Sequence, residues 1–356
     1  IDQPVQTFNY ALNNLAAPNT QILFKNGDTF NVSSINVNNI SGPVIIDSYS
    51  DPSNPSSVKP IIFSTEVDGA WNILVLRSNI NDWRIMNLTF SSGGYTSGDA
   101  GPRYPGGIGL SGTNNLIYKV KFSNLGTVMV GLNGEGNSIY GCFMEYFSRY
   151  GFYCTDGDPS NPLNQKQAII GNIIRQAPED DDTFFSDHRE HLIRFQGGSK
   201  TFIAFNDFEA LDTKTNIVIR GNSHEVVIYK NKLDRVNTFA PQNAGSEEYI
   251  HHCIAESNLY IGHDDPRFNN GYGVRQEAIG IKATNIVIRN NIFYNYQYAL
   301  SLSDHPLVGD VENIFIYNNT IIGYQAGCAM MVTQDLPQGI ENINNLFYNS
   351  TLESPG

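Results

Sequence analysis

The chain has 356 residues, of which 40% are hydrophobic, and 22 Lys and Arg stand against 35 Asp and Glu for a net charge of −13. That balance excludes the basic face of a nucleic-acid binder, although a local basic groove for an anionic ligand is compatible with an acidic body. No tract of 18 apolar residues is present, so no membrane insertion is expected.

The chain begins at Ile1 rather than Met and is expected to be a mature or trimmed form. Its cysteines, Cys142, Cys154, Cys253 and Cys328, form no CxxC pair and no zinc spacing, and are expected as buried free thiols.

In chain order, ILFKNGDTF (22–30) and ILVLR (73–77) are the first short apolar segments, followed by WRIMNLTF (83–90). The insertion SSGGYTSGDAGPRYPGG (91–107) then carries Arg103 and Tyr104, and Tyr153 lies farther on. AIIGNIIR (168–175), FIAFNDFE (202–209), VVIYKNKL (226–233), IVIRNNIF (286–293) and IFIYNNTI (314–321) repeat one pattern. Each has β-branched or aromatic residues, then Asn, then an apolar residue two places on. The aligned asparagines are Asn87, Asn172, Asn206, Asn231, Asn291 and Asn319, with neighbours 25 to 34 residues apart where no long insertion intervenes.

Between these units lie second strands such as HLIRF (191–195), NIVIR (216–220) and AIGIK (278–282). A period of this length with two-residue alternation predicts stacked β-repeats. The expected architecture is all-β, one parallel β-helix over 1–356 with about ten coils, successive coils roughly 4.8 Å apart. Asn suits a fixed position in each coil because stacked amides bond along the axis and because Asn tolerates the left-handed conformation of a sharp corner.

These Asn-ladder repeats, with ILFKNGDTF near the start, resemble right-handed parallel β-helix proteins of the pectate-lyase-like superfamily. The resemblance spans nearly the whole chain and implies the fold. That superfamily holds polysaccharide lyases, glycoside hydrolases, uronate epimerases and phage tailspikes, so the activity has to come from the site.

The insertions 91–107, 175–190, 209–215 and 234–249 each follow an Asn-containing strand and are expected to stack as a wall along one corner. Strands entered from that wall carry Arg194, Arg220 and Lys282, with Arg77 farther back, and the repeat places Arg194 and Arg220 as neighbours on adjacent coils. Two cations at such spacing repel unless an anion or an acidic ligand lies between them. The stretch DHREHLIR (187–194) gathers Asp187, His188, Glu190, His191 and Arg194 in a chain that is only 16% charged. An equally simple reading of the two arginines is neutralisation by Asp187, Glu190, Asp212 or Glu225.

EHLIRFQGG…NDF…KTNIVIRG also resembles the central segment of polysaccharide lyase family six, the alginate and chondroitin lyases of this fold. The resemblance implies an acidic calcium-binding stretch, here Asp187 or Glu190, before a strand with a basic residue, here Arg194, and an Arg on the next coil, here Arg220. That family has Lys where Arg194 stands, and an Arg-His pair where Arg220 is followed by Gly221.

Elimination across a uronic acid requires a neutralised carboxylate and a base. Arg220 is the candidate for the first, and Arg194, Lys214 or His191 for the second. Arg103, Tyr104, Tyr153, His188 and Lys282 are candidate substrate contacts. A calcium ion on Asp187 and Glu190 is the one cofactor expected. Two alternatives stand beside the lyase or epimerase: a hydrolase working with two of the carboxylates Asp187, Glu190, Asp212 and Glu225, and a non-catalytic glycan-binding or tailspike-like module. In each case the expected partner is a polysaccharide, and the protein a monomer in a secreted, cell-surface or periplasmic setting.

Overall fold

A computed structural model describes residues 7–67, 71–94, 104–147, 149–154, 165–176, 191–210, 216–220, 223–239, 250–262, 277–281, 283–296, 298–303, 312–323, 330–333 and 338–348. The chain divides into two compact units, one holding residues 1–155 and 163–190, the other 156–162 and 191–356. Each winds as a parallel β-helix whose strands, among the described residues, fall in turn into three parallel sheets. Among the described residues the first sheet has twelve strands, six in each unit, where the sequence led to about ten coils.

The core follows from strand alternation. In the first unit Ile46, Ile85, Ile117, Ile139 and Ile169 stand in one register column of the first sheet, each at most 1% exposed. The second unit repeats the column with Ile203, Ile228, Ala255, Ile288 and Ile316. β-Branched side chains stack well on a pleated surface, and burying each stabilises by about 1.5–3 kcal/mol. Aromatic rings fill the second-sheet side: Phe90 stacks on Phe122 with centroids 5.8 Å apart, and Tyr260 on Phe293 at 4.8 Å.

At the N-terminal end a short helix (Phe8–Tyr10) is capped by the Thr7 hydroxyl, which accepts from the Tyr10 N–H. It continues into a π-helical turn (Ala11–Leu15). Phe8, Ala11 and Leu12 are buried, and the Phe8 ring lies 5.0 Å from that of Phe24.

The asparagine ladder is built as expected in the second unit. The Oδ1 of Asn231 accepts from the Asn206 N–H at 2.9 Å, and the same bond repeats from Asn231 to Asn258, Asn258 to Asn291 and Asn291 to Asn319. Asn345 closes the series; it and Asn258 are rungs the sequence alignment passed over. Asn172 belongs too, its Oδ1 accepting from the Cys142 N–H at 2.9 Å.

Asn87 does not belong. Ile85 pairs with Ile117, which puts Leu88, Val120 and Cys142 at the ladder position of the early coils. Asn87 stands one residue before it, at φ 52°, in the left-handed corner that Lys119, Gly141, Gly171 and Lys230 occupy in other coils. The first unit has a second, shorter ladder at the corner before the first sheet, where the Trp83 N–H donates to Asn115 Oδ1 and the Asn115 N–H to Asn137 Oδ1.

Cys142, Cys154 and Cys253 are buried free thiols; Cys328 lies outside the described residues. Burial pushes the Cys142 and Cys253 thiols up to about 12, so neither is a nucleophile at neutral pH. Among the described residues no helix is long and apolar enough to cross a membrane.

Candidate functional site

The third sheet differs from the other two. Its strands are Ile35–Val37, Asn72–Leu76, Gly106–Leu110, Val128–Leu132 and Tyr150–Cys154 in the first unit, and His191–Gln196, Asn216–Arg220, Asn237–Thr238, Glu277–Ile281, Tyr298–Ser303 and Met330–Thr333 in the second. Apart from residues 50–60, which join the first sheet to the second, the long connections fall at the third sheet's borders. Residues 93–105, 176–190, 210–215 and 262–276 join second-sheet strands to third-sheet strands, while 155–167, 239–249 and 304–311 leave the third sheet for the first.

One expected wall therefore becomes two sets of insertions flanking one sheet. The 234–249 insertion is the correction: Asn237 and Thr238 pair with Asn216 and Ile217 as a third-sheet strand, so the long part follows that sheet instead of preceding it.

Burial singles out a few positions on this sheet. First- and second-sheet strands mostly alternate between buried and half-exposed residues, but Gly106–Leu110 is buried throughout. Val128–Leu132 is buried except at Gly131, Tyr150–Cys154 except at Tyr153, and His191–Gln196 except at Arg194 and Gln196. In the first unit Gly131 pairs with Gly109 on one side and Tyr153 on the other. A Cβ at Gly131 would meet only the Gly109 Cα, at 3.6 Å. Beside Tyr153 lies Gly131, which offers no side chain, while Gly109 beyond it is buried under the Asn72 amide; the Tyr153 ring is backed by Tyr150, stacked at 4.7 Å. An open glycine beside a braced aromatic ring can take the flat face of a sugar.

In the second unit Arg194 is half-buried, and its guanidinium donates to Gln196 Oε1 at 3.5 Å. Its register partner is Val218, while Arg220 stands opposite Gln196. The two arginine positions are thus on adjacent strands and the same strand face, but two residues out of step. One of those two residues comes from a bulge: the pairing shifts between His191 and Ile193, which inserts Leu192. Bulges of this kind re-aim side chains and are over-represented beside active sites.

His191 is 1% exposed, so the expectation that it faces a sugar is corrected: it is not open to one, and its partner is Asn216, on the face that carries Arg194 and the Arg220 position. Tyr104 is half-buried at the corner leading into the third sheet; a Cβ at Gly93 would stand 2.9 Å from its ring, so Gly93 is what lets the ring pack there. Arg103, Asp187, His188, Glu190, Lys214 and Lys282 lie outside the described residues, as does the side chain of Arg220. Of the four carboxylates considered for hydrolysis, Glu225 is described and exposed. Among the described residues no group of three or more metal-binding side chains is assembled.

A histidine column went unread in the sequence. His224 and His251 bridge in parallel at the corner between the third and first sheets, their rings stacked at 4.9 Å and 3°. The Nδ1 atoms of His251 and His252 are 2.6 Å apart, so one ring donates to the other. The signal was positional, since His224 precedes Asn231 and His251 precedes Asn258 by the same seven residues.

Partial burial, then the facing His224 and His252, hold the His251 imidazole below its ordinary range, with Glu225 pulling weakly the other way. The unfolded chain, with His near 6.5, then takes up the proton first. Stability from this site is fully present above that value and is lost as pH falls through the lowered folded one. The melting temperature is expected to drop between pH 7.5 and 5, and His251→Gln to flatten the slope. An unchanged slope in that variant would remove His251 from the account.

No protein-family model matches the chain, and no curated protein matches it either. Solved structures do. A mannuronic-acid-specific polysaccharide lyase of family six from the human gut microbiota superposes with a TM-score of 0.62 at 16% identity, covering 94% of this chain and 77% of its own. The tailspike of Escherichia coli bacteriophage HK620, solved with a pentasaccharide, gives 0.65 at 12% identity, over 95% of this chain and 61% of its own. A lacto-N-biosidase from Eubacterium ramulus gives 0.56 at 12%, over 98% and 65%. At these identities the likeness is one of fold, and the chain has the parallel β-helix fold that these proteins share.

Proposed function

We propose that the protein is a polysaccharide-active enzyme of the extracellular space that abstracts the proton next to the carboxylate of a uronic acid, as a lyase or an epimerase. The observation that carries this reading is the third sheet of the second unit. There the half-exposed Arg194 and the position of Arg220 share a strand face beside a bulge, at the sheet that the long insertions flank. Cations gathered there in a chain of net charge −13 suit an acidic sugar better than a neutral one.

In this reading Arg220 forms a bidentate pair with the substrate carboxylate and withdraws charge from it, which acidifies the adjacent C–H. Arg194 supports that charge and is not the base, because a guanidinium keeps its proton above pH 12. Lys214, in the connection that enters the Asn216–Arg220 strand, removes the proton. For a lyase the C–H electrons form the new C=C bond as the glycosidic C–O bond breaks and the leaving oxygen takes a proton. For an epimerase the carbanion is reprotonated from the opposite face and the chain stays whole. In the first unit Tyr153, beside Gly131, binds a sugar ring. A calcium ion on Asp187 and Glu190 would add positive charge beside the carboxylate.

The test is incubation with a panel of uronic and neutral polysaccharides, with and without chelator, following unsaturated-product absorbance together with reducing ends. Both signals rising on a uronic polymer is the lyase result. Reducing ends alone identify a hydrolase, inversion without cleavage an epimerase, and neither change on any polymer a binding module. Loss of activity with chelator, restored by Ca²⁺, decides the metal.

A further inference from the structure

The outward face of the second sheet in the first unit is not used by this chemistry, yet it forms a groove of about 800 Å³. Two register columns floor it. Thr29, Ile61, Thr89, Lys121 and Phe143 make one. Asn31, Phe63, Ser91 and Ser123 make the other, which continues to Glu145. Val58 and Lys59 close one side from the turn before Ile61.

Three features separate this face from an ordinary solvated sheet. Phe63 and Phe143 are half-exposed on it, not turned into the core. Within the described residues, the hydroxyls of Thr29, Thr89 and Ser91 and the Asn31 amide make no hydrogen bond, although they repeat coil by coil along the groove. Lys59 donates to the Lys119 carbonyl but has no carboxylate partner among the described residues. Lys121 lies over the Phe143 ring at 5.4 Å and shares the carboxylate of Glu145 at 2.7 Å, the one acid of these two columns.

We propose that this groove binds an acidic oligosaccharide lying along the coil axis, apart from the third-sheet site. Pyranose rings have an apolar face for Phe63 and Phe143 and a rim of hydroxyls for the Ser, Thr and Asn column. The coil repeat, roughly 4.8 Å, is close to the advance of one sugar in an extended chain, so equivalent groups meet successive residues. Lys59 selects a sugar bearing carboxylates, because a half-buried ammonium without an acid is stabilised by an incoming anion, and Lys121, though paired with Glu145, adds a second positive charge beside it. The burial that holds Lys59 below its usual range is relieved in the same way. The ligand class is shared with the function proposed above, but the site and its evidence are separate: this groove would hold a polymer on the enzyme without reacting with it.

The test is affinity electrophoresis through gels containing a polyuronate or, as the control, a neutral glucan. Wild type is expected to be retarded by the polyuronate alone. Lys59→Gln with Lys121→Gln should weaken that retardation about tenfold, the sum of two modest ion pairs. Ser91→Trp, which fills the groove without removing a charge, should weaken it comparably, while melting temperatures stay at the wild-type value. Retardation of both variants equal to wild type, or no retardation of wild type, overturns the proposal. Arg220→Ala separates the two readings. If it turns over substrate normally while the lysines still govern retardation, the catalytic reading fails and the groove stands; loss of turnover with retardation indifferent to the lysines is the reverse.

Discussion

Arg220→Ala is expected to lower turnover of a uronic polymer by about 10²–10³-fold, the usual loss when one donor to a developing anion is removed. The fold should be indifferent. Residues Ile217, Val218 and Ile219 supply the buried part of the strand, and Arg220 is its last residue, opposite Gln196. Arg220→Lys should recover part of the activity, since it restores the charge but not the planar fork that grips both carboxylate oxygens. Steady-state kinetics on the polymer, beside thermal melts, read both quantities. If Arg220→Ala melts well below wild type and keeps its turnover per folded molecule, the arginine is a structural ion-pair partner and the mechanism is wrong. Arg194→Ala should cost less than Arg220→Ala, because its guanidinium already spends a hydrogen bond on Gln196.

How much of this was visible in the chain depends on whether a feature repeats with the coil. The ladder asparagines do, and from Asn206 to Asn319 they announce the fold. Where the coil puts something else at the same position, as with Leu88, Val120 and Cys142, a search for Asn finds nothing. It then accepts Asn87 one residue early, because a left-handed corner favours the same amino acid. Asn237–Thr238 was missed because a two-residue strand has no alternation to detect. Arg194 and Arg220 were placed as neighbours on the correct pair of strands, but nothing in HLIRF marks Leu192 as an extra residue, and it adds one residue to their offset. The second-sheet groove was invisible for another reason. Its hydroxyls come singly from strands at Thr29, Thr89 and Ser123, and only the register brings them together.

The largest stability effect is expected inside the ladder, at Asn258. Its Oδ1 accepts from the Asn231 N–H at 2.9 Å and from Asn231 Nδ2 at 3.1 Å, and its Nδ2 donates to the Ile228 carbonyl at 2.8 Å and to Asn291 Oδ1 at 3.0 Å. Asn258→Leu keeps the volume and breaks all four. The Asn231 N–H is left buried and unpaired, at about 1–3 kcal/mol, while the Ile228 carbonyl loses its side-chain donor but stays in the sheet ladder opposite Ala255, for a total loss of about 2–4 kcal/mol with the two amide–amide bonds included. Asn258→Asp should do no better, because the oxygen in place of Nδ2 faces the Ile228 and Asn291 oxygens as a third acceptor, and the charge must be desolvated as well. Asn345 is the matched control. It makes the same bonds to Asn319, at 2.7 and 2.9 Å, but is half-exposed, so water can replace the lost amide. Asn345→Leu should cost about 1 kcal/mol, the net worth of an ordinary hydrogen bond. Thermal melts rank the variants, and hydrogen exchange at the Asn231 amide localises the damage. Equal losses at Asn258 and Asn345, or an Asn231 amide that stays protected in Asn258→Leu, would mean that the ladder amides specify the register of the coils without stabilising them.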